Sequence, residues 1–178
     1  MAALTEAVKE EEKARAARQA GLKRDPKKAL SLLEKAMDYH TQKRYPLAAR
    51  TYRNALKADP TLFNAAWGWG ITSREQALRV DALEAFQKAT ELKPDYIDAY
   101  IHGAEQAFFM RRYDQARKIL VPAMAKKPLY APTFELLIKI SYAQKRFQEV
   151  KELGEYYLSL LKPEDPNYAK YKSWLKDI

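Results

Sequence analysis

His40 and His102 are the side chains in this sequence best suited to hold a metal or move a proton. Neither stands in a His-Glu-x-x-His pattern, and neither has a convincing second ligand at helical spacing, so no metal site is expected. Trp67-Gly68-Trp69-Gly70 supplies a Gly-x-Gly, but Ser73 occupies the place of the third glycine of a dinucleotide loop. That segment has a helical pattern with no strand before it, so no nucleotide or other cofactor is expected there. There are no cysteines, which excludes disulfides, thiol catalysis and zinc–thiolate sites. Glu105 and Glu135 have the chemistry of an acid–base pair, yet carboxylates on neighbouring repeats are more simply the charged wall of a groove. These letters do not describe an enzyme.

The elements that would position these residues recur every 34 positions. Pro26, Pro60, Pro94 and Pro128 keep that step, as do Ala48, Ala82 and Ala116, and Ala55, Ala89 and Ala123. Tyr52, Phe86 and Leu120 mark a large apolar site in the same register. A period of this length is the signature of stacked supersecondary units. Each period holds two helical patterns, a short turn between them and a proline after the second. Ala36, Gly70 and Ala104 fall at one site of the first helix, opposite Ala48, Ala82 and Ala116 of the second. Small side chains there let the backbones approach closely while the neighbouring aromatic fills the gap.

These residues together resemble the tetratricopeptide repeat family. The resemblance implies an all-α fold, a right-handed α-α superhelix of tandem helix-turn-helix repeats with N- and C-terminal capping helices. The repeats run over 29–60, 63–94, 97–128 and 131–162, within a four-repeat region 26–162. Segment 1–25 is expected as the N-terminal capping helix, read over Leu4–Lys23, and 163–178 as the C-terminal one. Repeat one departs from the family at Lys35, and repeat two at Ser73 and Arg79. The fourth repeat departs most. Ile138, Val150 and Tyr157 replace small residues, and Gly154 stands where a large one belongs. Polar-faced ends are what a repeat array needs, so the two caps weigh toward a complete domain.

The resemblance also implies that first helices line a concave groove that holds an extended peptide or a partner helix. Residues expected to point into it form three columns: Leu33, Trp67, Ile101, Glu135; Met37, Ile71, Glu105, Lys139; and His40, Arg74, Phe108, Tyr142. From these we take His40, Trp67, Ile71, Arg74, Ile101, Glu105, Phe108, Lys139 and Tyr142 as partner-binding residues, with apolar and aromatic anchors at the centre. Leu33, Met37 and Ile71 have a second reading as packing between repeats. Chaperone-binding members of the family hold a C-terminal carboxylate with Lys and Asn. Here those sites carry Leu33, Met37, Gly68, Asp98 and His102, so that clamp is absent.

The function that follows is a non-catalytic scaffold or adaptor for a protein or peptide partner. The net charge of +9 supports an alternative, a basic surface for nucleic acid, an acidic membrane or an acidic partner. No recognised nucleic-acid motif accompanies it. Many of the basic pairs recur where one helix turns into the next, where cations also complement a helix C-terminus. A small secretion-type chaperone and self-assembly through an array end, with Tyr171 and Trp174 meeting another chain, are further alternatives. The N-terminal residues lack the apolar core of a signal peptide. This leans the expectation to the cytoplasm, with a processed periplasmic protein as the alternative.

Overall fold

The computed structural model describes Gly21, residues 24–128 and residues 130–175. Apart from Gly21, the helix expected over Leu4–Lys23 lies outside the described residues. The described elements are α1 (Pro26–Thr41), α2 (Tyr45–Ala58), α3 (Phe63–Glu75), α4 (Arg79–Leu92), α5 (Ile97–Phe109), α6 (Tyr113–Lys126), α7 (Ala131–Ala143), α8 (Phe147–Leu160) and α9 (Pro166–Trp174). Each helix packs against the next in sequence. In addition α1 approaches α3, and α5 approaches α7. The first helices of successive repeats therefore occupy the inner, shorter side of the stack.

Helix α1 starts three residues earlier in the period than α3, α5 and α7. Its N-cap explains this. Asp25 accepts a hydrogen bond from the Lys28 amide at 3.0 Å, and Pro26 opens the helix. An Asp cap of this kind is worth about 1 kcal/mol. Asp59, one period on, turns its carboxylate to Thr61 instead, accepting from its amide at 3.0 Å and its hydroxyl at 2.7 Å. Pro60 consequently sits in a turn, and α3 begins at Phe63.

The turn inside each repeat is the same tight device four times. Lys43, Ala77, Arg111 and Lys145 adopt φ near +58°, the left-handed conformation that ends many helices. In the first repeat the Lys43 amide donates to the His40 carbonyl at 2.9 Å, and the Arg44 amide donates to the Tyr39 carbonyl at 2.9 Å. Residues 77–78, 111–112 and 145–146 repeat both bonds. The second residue of each pair is also the N-cap of the following helix, so two helices meet almost without a linker.

Size complementarity fills the core. Ala36, Ala48 and Ala55 enclose Tyr52; Gly70, Ala82 and Ala89 enclose Phe86; Ala104, Ala116 and Ala123 enclose Leu120, all buried. Burying each large group is worth about 1.5–3 kcal/mol. The fourth repeat uses a different solution. Ile138, Val150 and Tyr157 are buried, and Tyr157 stacks on Phe134 with ring centres 4.5 Å apart. A Cβ on Gly154 would lie 2.6 Å from a methyl of Leu175. The missing side chain thus makes room for the segment that follows α9. Tyr171 of α9 is buried edge-to-face against Tyr157, ring centres 4.9 Å apart. This covers the end of α8.

Candidate functional site

The inner face is built by one stripe on each first helix, at positions i, i+4 and i+7. In repeats one, three and four the stripe is more buried at its start and opens as it nears the intra-repeat turn. Leu33 is buried, whereas Met37 is 53% exposed. Ile101 is only 6% exposed, and it packs with Leu83, Ala104 and with Leu136 and Leu137 of α7. The sequence assigns Ile101 to the groove; the structure places it between repeats, where it has almost no surface to offer. In the last repeat Glu135 is part-buried, Lys139 is exposed and Tyr142 is 60% exposed.

Trp67 and Ile71 on α3 and Phe108 on α5 are half-buried. Trp67 lies in an aromatic cluster, with ring centres 4.9 Å from Tyr96, 5.4 Å from Phe86 and 5.6 Å from His102. It is therefore part of the packing between repeats two and three as well as part of the face. Phe108 packs toward Tyr113, 5.7 Å away, where α5 turns into α6. Tyr142 makes the matching contact one repeat on, edge-to-face with Phe147 at 5.6 Å.

The polar residues form a chain across the stack. His40 Nδ1 and the buried Thr72 hydroxyl are 2.9 Å apart, linking repeats one and two. His102 Nδ1 lies 2.8 Å from Glu105 Oε2 and 3.3 Å from an Arg74 guanidinium nitrogen. One nitrogen cannot donate to the carboxylate and accept from the guanidinium together. The shorter contact assigns the proton: Nδ1–H donates to Glu105. That hydrogen bond, with the positive charges of His102, Arg74 and Lys139, outweighs burial and holds the Glu105 carboxyl below the usual carboxylate range. Arg74, His102, Glu105 and Lys139 thus make a charged track beside an apolar stripe. The sequence missed Thr72; it put Met37 in an inner column but left it out of the partner-binding residues, and it noted His102 as an unsupported metal candidate and a clamp position, not as a partner of Glu105. The i,i+3 spacing of His102 and Glu105 was the available signal. Among the described residues no three His, Asp or Glu side chains gather where they could hold a metal ion.

No protein-family model matches the chain. Its fold is found elsewhere. The first TPR domain of Spaghetti (RPAP3), solved with the HSP90 peptide SRMEEVD, superposes with a TM-score of 0.61 at 25% identity, covering 70% of this chain and 99% of that one. The crystal structure of MamA gives a TM-score of 0.68 at 23% identity over 74% of this chain and 72% of that one. The chain folds as a tetratricopeptide-repeat superhelix. In sequence, 95 residues are 26% identical to Hsp70-Hsp90 organizing protein 2 of Arabidopsis thaliana, which is 53% of this chain. The stretch spans only 17% of that relative. The tetratricopeptide fold and its all-helical repeats are those expected from the 34-residue period.

Proposed function

We propose that this tetratricopeptide array is a non-catalytic adaptor that binds a segment of a partner protein along the inner face of its first helices. The observation that carries the reading is the combination of unburied Met37 and Tyr142 with the His102–Glu105 hydrogen bond and the Arg74 guanidinium beside it. Apolar anchors beside oriented polar groups are what a peptide or amphipathic helix requires. The RPAP3 domain solved with an HSP90 peptide is support by analogy. This chain departs from that ligand class, because Leu33, Met37, Gly68, Asp98 and His102 replace the cations and amides of a carboxylate clamp. Asp98 accepts a hydrogen bond from Tyr130 and would repel an acidic terminus. We therefore infer a ligand held by apolar side chains rather than by its C-terminal carboxylate.

The test is selection of displayed peptides on the wild-type array, then titration of a selected peptide against Met37→Asp and Tyr142→Ala. Both side chains are exposed, so substitution leaves the core intact. Affinity should fall at least tenfold, the loss of one anchor, and SRMEEVD should show no saturable binding. Selected peptides that bind both variants as tightly as wild type would remove the inner face from the proposal. Trp67→Ala is a poor probe, because it also opens the cluster around Phe86 and Tyr96.

A further inference from the structure

The two edges of the stack differ in charge. The four intra-repeat turns, residues 41–46, 75–80, 109–114 and 143–148, hold seven Lys or Arg and two acidic residues. The inter-repeat segments 58–63, 92–97, 126–131 and 160–165 hold four of each. Both edges carry helix C-termini, so complementing the helix dipole would make both basic. Only one is.

The cations on that edge also occupy positions where local structure disfavours them. Lys43, Arg111 and Lys145 stand at φ near +58°, where glycine or asparagine is the usual choice. Arg44, Arg112 and Arg146 are N-caps without a side-chain cap hydrogen bond. Ser, Thr, Asp or Asn would satisfy an amide there, and an arginine meets the positive end of the helix dipole. Local rules broken at the same two places in three repeats indicate a requirement other than folding. Lys43, Arg111, Arg112 and Lys145 form no ion pair among the described residues.

Apolar side chains cluster on the same edge. Of nine exposed large hydrophobic residues among those described, Leu78, Val80, Phe109 and Phe147 lie in these four turns, and Tyr142 stands one residue before the last. At the 8–10 Å spacing of packed helices the row of tips spans roughly 30 Å. The Arg79 guanidinium lies 4.6 Å from the Phe109 ring centre and Tyr142 meets Phe147 edge-to-face, so part of this aromatic surface is already engaged and less is left for stacking bases. Leu78 and Val80 have no stacking face at all. Cations interleaved with protruding aromatic and aliphatic tips match the interface of an anionic bilayer.

We propose that the intra-repeat turn edge docks this protein on an anionic phospholipid surface, the cations at the headgroups and the Phe109 and Phe147 tips at the acyl boundary. The probe is co-sedimentation of the full chain with vesicles of phosphatidylcholine alone and of phosphatidylcholine with phosphatidylserine. Binding should require phosphatidylserine and weaken with salt. The decisive variant is Arg111→Gly with Arg112→Ser. It installs the residues that the left-handed position and the N-cap prefer, so its melting temperature should hold or rise. Its vesicle partition should fall about fivefold per cation removed, roughly 25-fold in all. Phe109→Ser should weaken partition at unchanged charge. Equal binding to neutral vesicles, no binding to anionic ones at low salt, or unchanged partition of the folded double variant would each overturn the proposal. Tight binding of an oligonucleotide or an acidic polypeptide with no vesicle binding would reassign the edge to that ligand.

Discussion

Two glycines on the first helices of neighbouring repeats, Gly70 in the small-residue register and Gly103 one position off it, should respond differently to alanine. Gly70 and Gly103 both lie inside first helices, α3 and α5. Replacing a helical glycine by alanine gains about 1 kcal/mol from backbone entropy alone. What differs is the space. A Cβ at Gly70 would lie 2.6 and 2.7 Å from two ring carbons of Phe86, against an ordinary separation of about 3.5–4.0 Å. Phe86 is fully buried and lies against Trp67 and His102, so the ring cannot retreat freely. Overpacking of this kind costs about 1–3 kcal/mol, which leaves Gly70→Ala neutral to about 2 kcal/mol destabilised. At Gly103 the nearest atoms would be Phe86 Cβ at 3.5 Å, Ile119 at 3.7 Å and Leu83 at 3.9 Å. These are ordinary contacts, and Gly103→Ala should be about 0.5–1 kcal/mol more stable than wild type. Urea denaturation followed by circular dichroism measures both, and the difference between the midpoints is the quantity of interest. Melting should show the same order, at about 2–4 °C per kcal/mol for a chain of this size. If both variants shift the same way by the same amount, propensity alone governs these sites and the size-complementarity account of the core fails.

Glu105→Gln tests the polar chain on the inner face through pH. The folded carboxyl is held below its usual range, so its stabilising contribution is complete above the unfolded value of about 4.3 and is lost as pH falls through the folded value. The wild type should therefore lose stability more steeply than Glu105→Gln on acidification below about pH 5, measured as melting temperature against pH; parallel curves would refute the bond to His102. Arg117 on α6 should be the most costly surface cation to remove. Its guanidinium binds Glu149 through both terminal nitrogens at 2.6 Å, the Ser141 hydroxyl at 2.7 Å and Gln144 at 3.2 Å, tying α6 to α7 and α8. Arg117→Ala should cost about 1–3 kcal/mol in urea denaturation, where Lys118→Ala, an exposed neighbour, should change little.

The fold was legible in the sequence because the same packing problem is solved repeatedly. Ala48, Ala82 and Ala116 are small for one reason, and a period of 34 makes that reason visible without coordinates. Features that occur once were not legible. The inverted sizes of the fourth repeat could be seen in Ile138 and Gly154, but not their purpose, which is to seat Leu175 and Tyr171 from the end of the chain. Ile101 was placed on the inner face because it shares a stripe with Glu105 and Phe108. Periodicity gives the direction of a side chain and not the distance to the next repeat, and α7 comes close enough to cover it. Arg117 had no signal at all, since its partners lie 24–32 positions away on other helices.

The core and the turn edge are legible by opposite rules. Core positions reveal themselves by obeying the period, because every repeat must pack against its neighbour. The turn residues show a departure from what the backbone prefers. A left-handed helix end accepts glycine at no steric cost, and lysine or arginine there costs about 1 kcal/mol; an arginine N-cap forgoes a further hydrogen bond. Packing cannot compensate at exposed tips. The inner stripes open toward this same edge, at Met37 and Tyr142, so the reachable part of the candidate groove lies beside the uncompensated cations. A partner segment entering from that side meets their field first. Its association rate should carry a salt dependence that the apolar anchors alone would not give.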